Sequence, residues 1–454
     1  MATTTPTEST ESTPRRMAMS SPRTPPPAPT AGRRDDIELL RFATAGSVDD
    51  GKSTLIGRLL YDTKALFDDQ LEDLARHEDL ARLTDGLRAE RDQGITIDVA
   101  YRYFSTPARR FVIADCPGHR EYTRNAITGF SQSDVAVLLV DARHGVVEQT
   151  RRHALLAAHF GGPRLVFCVN KMDLVDYDET VFRRVEADLR ALAERLPGVG
   201  SEIDVWPISA KTGDQVVRRS PRQMWFSGPS LLDHLERIPL RAPPLPPPPA
   251  RFAVQLPLRP AEDAAGRRYA GKLLRGRLAI GDAVTVLPSG QRSTVASLDR
   301  FGRALTAAEA PRDITLQLAD PVDVGRGDIL AGGPAPTGLR RTTAVVSWLS
   351  DRETSLPRTL TLKHLARRIR CRLRAVVHRI DIDTLAAVAD GAPVLRPNDV
   401  ARVCIELAAS LPAEVATRAE PLARFILIDP QSYETVGAGF FAPDDASTGE
   451  AHPT

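Results

Sequence analysis

The sequence predicts an α/β domain with a mainly parallel sheet, followed by two small β-barrels. Three observations carry this reading. From Ile37 to about residue 240, short apolar runs alternate with helix-like stretches, the pattern of βαβ units. Residues 240–250 then read LRAPPLPPPPA, and a proline run this dense can continue neither a helix nor a central strand, so it is expected to be a stiff linker. Beyond it, short strand-like pieces are separated by Gly, Asp and Pro turns, a spacing typical of barrels.

In chain order, residues 1–35 are rich in Thr, Ser and Pro without apolar period and read as a disordered tail. Arg15, Arg16, Arg23, Arg33 and Arg34 raise an organelle-targeting alternative. Glu8 and Glu11 interrupt it, and no amphipathic helix or apolar segment supports it. Residues 36–240 form the α/β domain, with strands predicted at 39–45, 111–114, 135–140, 165–169 and 205–208 and helices at 52–60 and 182–196. These strands are continuous apolar runs, as expected where both faces of a sheet are covered. The linker is placed at 241–250. Strands at 283–287, 293–298 and 314–318 belong to a first barrel over 251–336, and one at 343–348 to a second over 337–441. Residues 442–454 are a polar tail.

Composition is that of an ordinary soluble chain: 42% hydrophobic, 26% charged and a net charge of only +2. Nothing in it argues for nucleic acid or membrane as a partner, and no apolar run is long enough to span a bilayer. Cys116, Cys168, Cys371 and Cys404 are scattered in or beside strand-like runs, which suits reduced thiols in the cytoplasm rather than a disulfide framework.

The chemistry starts at Gly46, Ser47, Val48, Asp49, Asp50, Gly51, Lys52 and Ser53, a full match to G-x-x-x-x-G-K-[ST] lying between a predicted strand and a predicted helix that continues through Thr54. Glycines let backbone N–H groups curl around phosphate, Lys52 adds charge at the β- and γ-phosphates, and Ser53 offers a hydroxyl to Mg²⁺. Asn170, Lys171, Met172 and Asp173 close an apolar run. There Asp173 can accept two hydrogen bonds from guanine, where adenine presents no such donor pair. Ser209, Ala210 and Lys211 follow the next strand and are expected beside the guanine edge. Asp115, Cys116, Pro117, Gly118 and His119 end another strand. Asp115 is placed to act on Mg²⁺ through water, Gly118 to offer its N–H to the γ-phosphate, and His119 to orient the attacking water. Between these motifs, Thr96 in the run 94–97 is expected to close over Mg²⁺ while the γ-phosphate is present, an order–disorder switch. The expected ligands are therefore GTP and Mg²⁺, with Lys52, Thr96 and His119 in the catalytic set.

Arg368, Arg370, Arg372 and Arg374 alternate with Ile369, Cys371 and Leu373. In a strand this gives a basic face, either for an acidic partner or simply solvated. The solvated reading is preferred, because neither aromatics nor a net basic domain accompanies the arginines.

A translation-factor-type GTPase domain followed by two small barrels resembles elongation factor Tu. A more specific resemblance, over about residues 36–441, is to the large, GTP-dependent subunit of bacterial sulfate adenylyltransferase. It is carried by GSVDDGKSTLIGRLLYD (46–62), LTDGLRAERDQGITIDVAYRYF (83–104), PGHREYTRN (117–125) and VEQTRRH (147–153). In the barrels it is carried by YAG (269–271), VLPSG (286–290), FILID (425–429) and VGAG (436–439). The resemblance implies an α/β P-loop GTPase domain with two β-barrel domains. It implies GTP hydrolysis coupled to formation of adenosine 5′-phosphosulfate and pyrophosphate from ATP and sulfate. It also implies a smaller catalytic subunit as partner, which carries the ATP and sulfate site. Some members carry a fused adenylylsulfate kinase domain, which a chain ending at Thr454 is expected to lack. Two stretches depart from the family pattern: Leu365-Ala366 stands where a Gly-Thr pair is usual, and 419–424 lacks the usual Asn-Arg and Gly. The rival readings are a translation factor delivering a charged RNA and a regulatory subunit that binds GTP without useful turnover.

Overall fold

The computed structural model describes residues 37–66, 80, 96, 98–161, 164–199, 203–239, 248–259, 266–336, 338–389 and 391–443. The expected tail at 1–35, most of the linker, the stretch 83–95 and the last eleven residues of the polar tail lie outside these.

The α/β domain contains β1 (Leu39–Ala45), α1 (Lys52–Asp62), β2 (Ala100–Ser105), β3 (Arg110–Asp115), α2 (Thr123–Ser131), β4 (Val135–Asp141), α3 (Glu148–Phe160), β5 (Arg164–Asn170), α4 (Glu179–Glu194), β6 (Asp204–Pro207) and α5 (Leu231–Arg237). The sheet order is β2-β3-β1-β4-β5-β6, with β2 antiparallel to β3 and the remaining pairs parallel. All seven residues of β4 are buried, which requires cover on both faces. Strand alternation supplies that cover. Leu40 and Phe42 of β1 pack with Leu55, Ile56 and Leu59 of α1 and Leu231 and Leu235 of α5. Ala43 and Ala45 point the other way, into the core with Phe130 of α2, Leu155 of α3 and Phe182 of α4. Helix α4 starts three residues before the predicted 182, because the Asp178 side chain accepts from the Thr180 N–H at 2.7 Å and caps it. Strand β2 was not predicted from the sequence: its residues alternate only weakly between buried and exposed.

Because β1, β3, β4, β5 and β6 are parallel, their carboxyl ends share one edge of the sheet. The residues after each strand therefore meet there, the usual place for a ligand in an open α/β sheet.

The first barrel closes through six antiparallel strands, with Ala283–Leu287 pairing to both Arg292–Arg300 and Ile329–Gly332. The second closes where Arg358–His364 pairs with Arg367–Ile380. Closure leaves no long free edge in either. In Arg367–Ile380, Arg368, Arg370, Arg372 and Arg374 are exposed while Cys371 and Leu373 are buried, as the alternation predicts. Arg374 is paired with Glu406 at 2.5 Å.

The domains share buried contacts. Phe440 of the second barrel packs on His159 and Phe160 of α3, with ring centroids 5.6 and 6.0 Å apart. The Ala419 N–H donates to the His159 carbonyl at 2.7 Å, and Arg424 donates to the Ser131 carbonyl at 2.5 Å. Between the barrels, Leu422 packs with Leu287, Ile329 and Ala331, and Leu365 packs against that cluster. Leu365 sits in the hairpin turn with φ 51, a conformation that glycine takes at less cost. It is half-buried against the barrel–barrel cluster, a contact that a glycine could not make.

Glu414 ties the barrels electrostatically. It accepts from Arg251 at 3.1 Å and from Arg275 at 2.6 Å, and the Arg251 side chain is 5% exposed. Glu414→Ala is expected to cost about 2 kcal/mol, because it leaves a buried guanidinium with only carbonyl partners. Denaturant unfolding checks this, and Arg275→Ala, which removes the more exposed of the two guanidinium groups and leaves Glu414 paired with Arg251, should cost much less.

Candidate functional site

The loop after β1 runs Gly46, Ser47, Val48, Asp49, Asp50 and Gly51, and Lys52, Ser53 and Thr54 open α1. Its tight path needs three positive φ angles: 153° at Gly46, 63° at Asp49 and 91° at Gly51. At Gly51 a Cβ would meet Asn170 Nδ2 at 2.4 Å, so only glycine fits. Lys52 is 7% exposed, and its ammonium donates to the Gly46 carbonyl at 3.0 Å and the Ser47 carbonyl at 2.7 Å. Burial pushes its pKa below the usual lysine value, with Asp115 and Asp50 opposing the shift. Asp50 accepts from the Ser47 N–H at 2.6 Å and stiffens the loop, although its own burial raises its pKa.

Asp115 ends β3 and is buried, accepting from the Thr44 hydroxyl at 3.0 Å. Cys116 Sγ is turned away from this edge toward α2, where a Cβ on Gly129 would meet it at 2.4 Å; burial raises its pKa steeply. Its backbone N–H donates to the Thr44 carbonyl of β1 at 3.1 Å, and Pro117 beside it is buried. Gly118 approaches closely: a Cβ there would meet Lys52 Nζ at 2.6 Å and the Gly46 carbonyl at 3.1 Å. His119 is half-buried, with its ring 6.3 Å from Tyr122. Thr96 is half-buried upstream of β2, and residues 95 and 97 lie outside the described residues.

At the other end of the edge, Asn170 closes β5. Its amide donates to the Asp50 carbonyl at 2.7 Å and accepts from the Ala210 N–H at 2.9 Å, joining three loops through one buried side chain. Lys171 takes φ 65 and directs its ammonium to Asp141, 2.9 Å away. Met172 is fully buried in the core, so its side chain does not line the edge. The Asp173 carboxylate accepts from the Ser209 hydroxyl at 2.6 Å, which fixes its direction. Lys211 is exposed, and its carbonyl accepts from Arg58.

The structure thus gathers Gly46, Ser47, Asp50, Lys52, Asp115 and Gly118 into one cluster, and Asn170, Asp173, Ser209 and Ala210 into a second, joined by Asn170. Sequence reading missed several supports. Asp141 ends β4 and holds Arg143 at 2.7 Å as well as Lys171. Burial alone would raise its pKa, but these hydrogen bonds hold it well below the carboxylate range. An acid at the end of an all-apolar strand was the available signal. Gln149 of α3 also reaches the Gly118 carbonyl, and His153 contacts Gln149 from behind.

A phosphate-cradling loop with a buried lysine, opposite an Asn-Lys-x-Asp loop braced by serine, defines a P-loop guanine-nucleotide-binding protein. The elongation factor Tu GTP binding domain profile matches residues 37–242, and that of the GTP-eEF1A C-terminal domain-like family matches 341–442. The chain is 42% identical over 433 residues to sulfate adenylyltransferase subunit 1 of Laribacter hongkongensis, covering 92% of this chain and 88% of that one. It is 43% identical to the subunit 1 of Erwinia tasmaniensis, covering 88% and 85%. It is also 43% identical to the bifunctional enzyme CysN/CysC of Mycobacterium tuberculosis, covering 89% of this chain and 67% of that protein. The chain belongs to the sulfate adenylyltransferase subunit 1 family.

The Asp173 geometry leads to a test of base choice. Asp173→Asn is expected to weaken GTP and favour xanthosine triphosphate, because an amide can donate where the carboxylate only accepts. Competition binding with the two nucleotides measures it. An unchanged preference for GTP would remove Asp173 from the base site.

Proposed function

We propose that this chain is the GTP-hydrolysing subunit of a sulfate adenylyltransferase, working in the cytoplasm with a smaller catalytic subunit that makes adenosine 5′-phosphosulfate and pyrophosphate from ATP and sulfate. The observation that carries this is the 42% identity to a subunit 1 across 92% of the chain. The reading has a thermodynamic rationale. The phosphate–sulfate anhydride is so energy-rich that adenylyl transfer alone lies far uphill, and GTP hydrolysis supplies the drive. The described residues include no helix long and apolar enough to cross a membrane.

In this reading Lys52 and the loop N–H groups hold the β- and γ-phosphates, Asp173 reads guanine, and Asn170 with Lys171 braces the base loop. Gly118 offers its N–H to the γ-phosphate. The residues suit Mg²⁺: Ser53 and Asp115 offer hard oxygens close to the phosphate loop, with Thr96 as a third. Among the described residues no cluster of three His, Cys, Asp or Glu gathers to hold a metal. The ion would complete its shell with nucleotide phosphate and water, as Mg²⁺ does. When bound it would neutralise charge on the phosphates. His119 orients the water that attacks the γ-phosphorus, a positioning role that phosphoryl transfer rewards.

Two experiments test this. The purified chain alone should hydrolyse GTP slowly and form no adenylylsulfate from ATP and sulfate, while adding the small subunit should give GTP-dependent product. Product formed by the chain alone, or by the pair without GTP at the same yield, would sink the proposal. Separately, His119→Ala should leave GTP affinity nearly intact and lower single-turnover hydrolysis by about a hundredfold, while Lys52→Ala should lose binding itself. If both variants lose binding equally, the His119 assignment is wrong.

A further inference from the structure

On α3, Gln149 Nε2 lies 3.1 Å from the Gly118 carbonyl and 3.1 Å from His153 Nε2. The two contacts fix each other's chemistry. A carbonyl only accepts, so the Gln149 amide must present its NH₂ to Gly118. The same nitrogen faces His153 with its second proton, so His153 Nε2 must accept, which makes the imidazole neutral with its proton on Nδ1. Burial disfavours the charged ring: His153 is fully buried and edge-on to Phe130 at 6.5 Å. Nδ1 has no partner among the described residues, so its proton is left unsatisfied, a cost that the Gln149 contact offsets. Burial, with Lys52 and Arg152 adding to it, lowers its pKa to about 3. A charged or Nε2-protonated ring would turn the amide over and face its oxygen to the Gly118 oxygen. The Gly118 carbonyl belongs to the peptide that leads into His119, and on its other side Lys52 Nζ and the Gly46 carbonyl leave no room for a side chain at Gly118.

We propose that Gln149 and His153 are positioning residues for GTP hydrolysis: His153 sets the Gln149 amide, and Gln149 clamps the Gly118–His119 peptide so that the His119 ring is held for the attacking water. Neither residue touches the nucleotide in this scheme. The inference rests on the reading of His119 above, and the test keeps the two apart.

Gln149→Met keeps the side-chain length and removes both donors, at a half-buried position where folding is expected to survive. With the small subunit present, the variant should bind GTP and GDP within about twofold of the parent and lower single-turnover GTP hydrolysis by about tenfold. The KM for GTP should barely move while kcat falls. His153→Phe, which fills the same space without an acceptor, should give a similar loss if its thermal midpoint stays near that of the parent. The deciding measurement is the double variant. In a His119→Ala background, Gln149→Met should slow hydrolysis no further, since it acts only through that ring. If the losses multiply, or if nucleotide affinity falls by the same factor as the rate, the pair has a merely structural role and the proposal is overturned. If His119→Ala alone leaves hydrolysis unchanged, it is the reading of His119 that fails.

Discussion

A buried ammonium organises this site. Lys52 has lost its water, and a charge in that position must be held by dipoles and carboxylates or it will not stay charged. The chain meets this with the carbonyls of Gly46 and Ser47, which curl the loop back over the lysine, and with Asp50 and Asp115 nearby. The same ammonium dictates its surroundings. A side chain at Gly118 would displace Lys52 Nζ and press on the Gly46 carbonyl, so glycine suits that position. His153 is kept neutral by burial first and in part by this ammonium. A loop already bent around a cation is preorganised for phosphate, which would take over the hydrogen bonds that the carbonyls now receive.

The second constraint is that two loops from distant parts of the chain must be held at fixed separation, since in the proposed function one serves the phosphates and the other the base. Asn170 does this with a single buried amide, donating to the phosphate loop and accepting from the loop after β6. Leaving either partner unsatisfied in a buried place is costly, so the spacing is rigid. Asp141 acts in the same way on the flank, where Arg143 and Lys171 converge on one carboxylate.

Much of this was legible in the sequence, for identifiable reasons. Continuous apolar runs set the parallel strands, and motifs written in glycine, lysine and aspartate fell at their carboxyl ends. Boundaries drifted where a cap decided them, as at Asp178, and β2 was missed because its alternation is weak. Among the motif residues, side-chain direction was not legible. Cys116 and Met172 sit inside their motifs yet point into the core. The supports were also hidden. Gln149 and His153 are polar residues on a helix whose other members read as ordinary packing, and their meaning depends on a loop about thirty residues upstream that only the fold brings near.

Helix α3 joins these observations to the barrels. Its first turn carries Gln149, at the Gly118 loop. Its last turn carries His159 and Phe160, which pack on Phe440 of the second barrel. The helix is 13 residues long, about 20 Å of hydrogen-bonded backbone. His159 has no hydrogen-bond partner at either ring nitrogen among the described residues, and burial lowers its pKa to about 4, so the ring is held neutral by packing alone. Packed interiors rearrange in discrete steps rather than stretch. A shift of the Gly118 loop that moved Gln149 along the helix axis would therefore have to be accommodated at the far end, against Phe440 and the Ala419 N–H. The loop beside Lys52 and the second barrel thus contact the two ends of one stiff element.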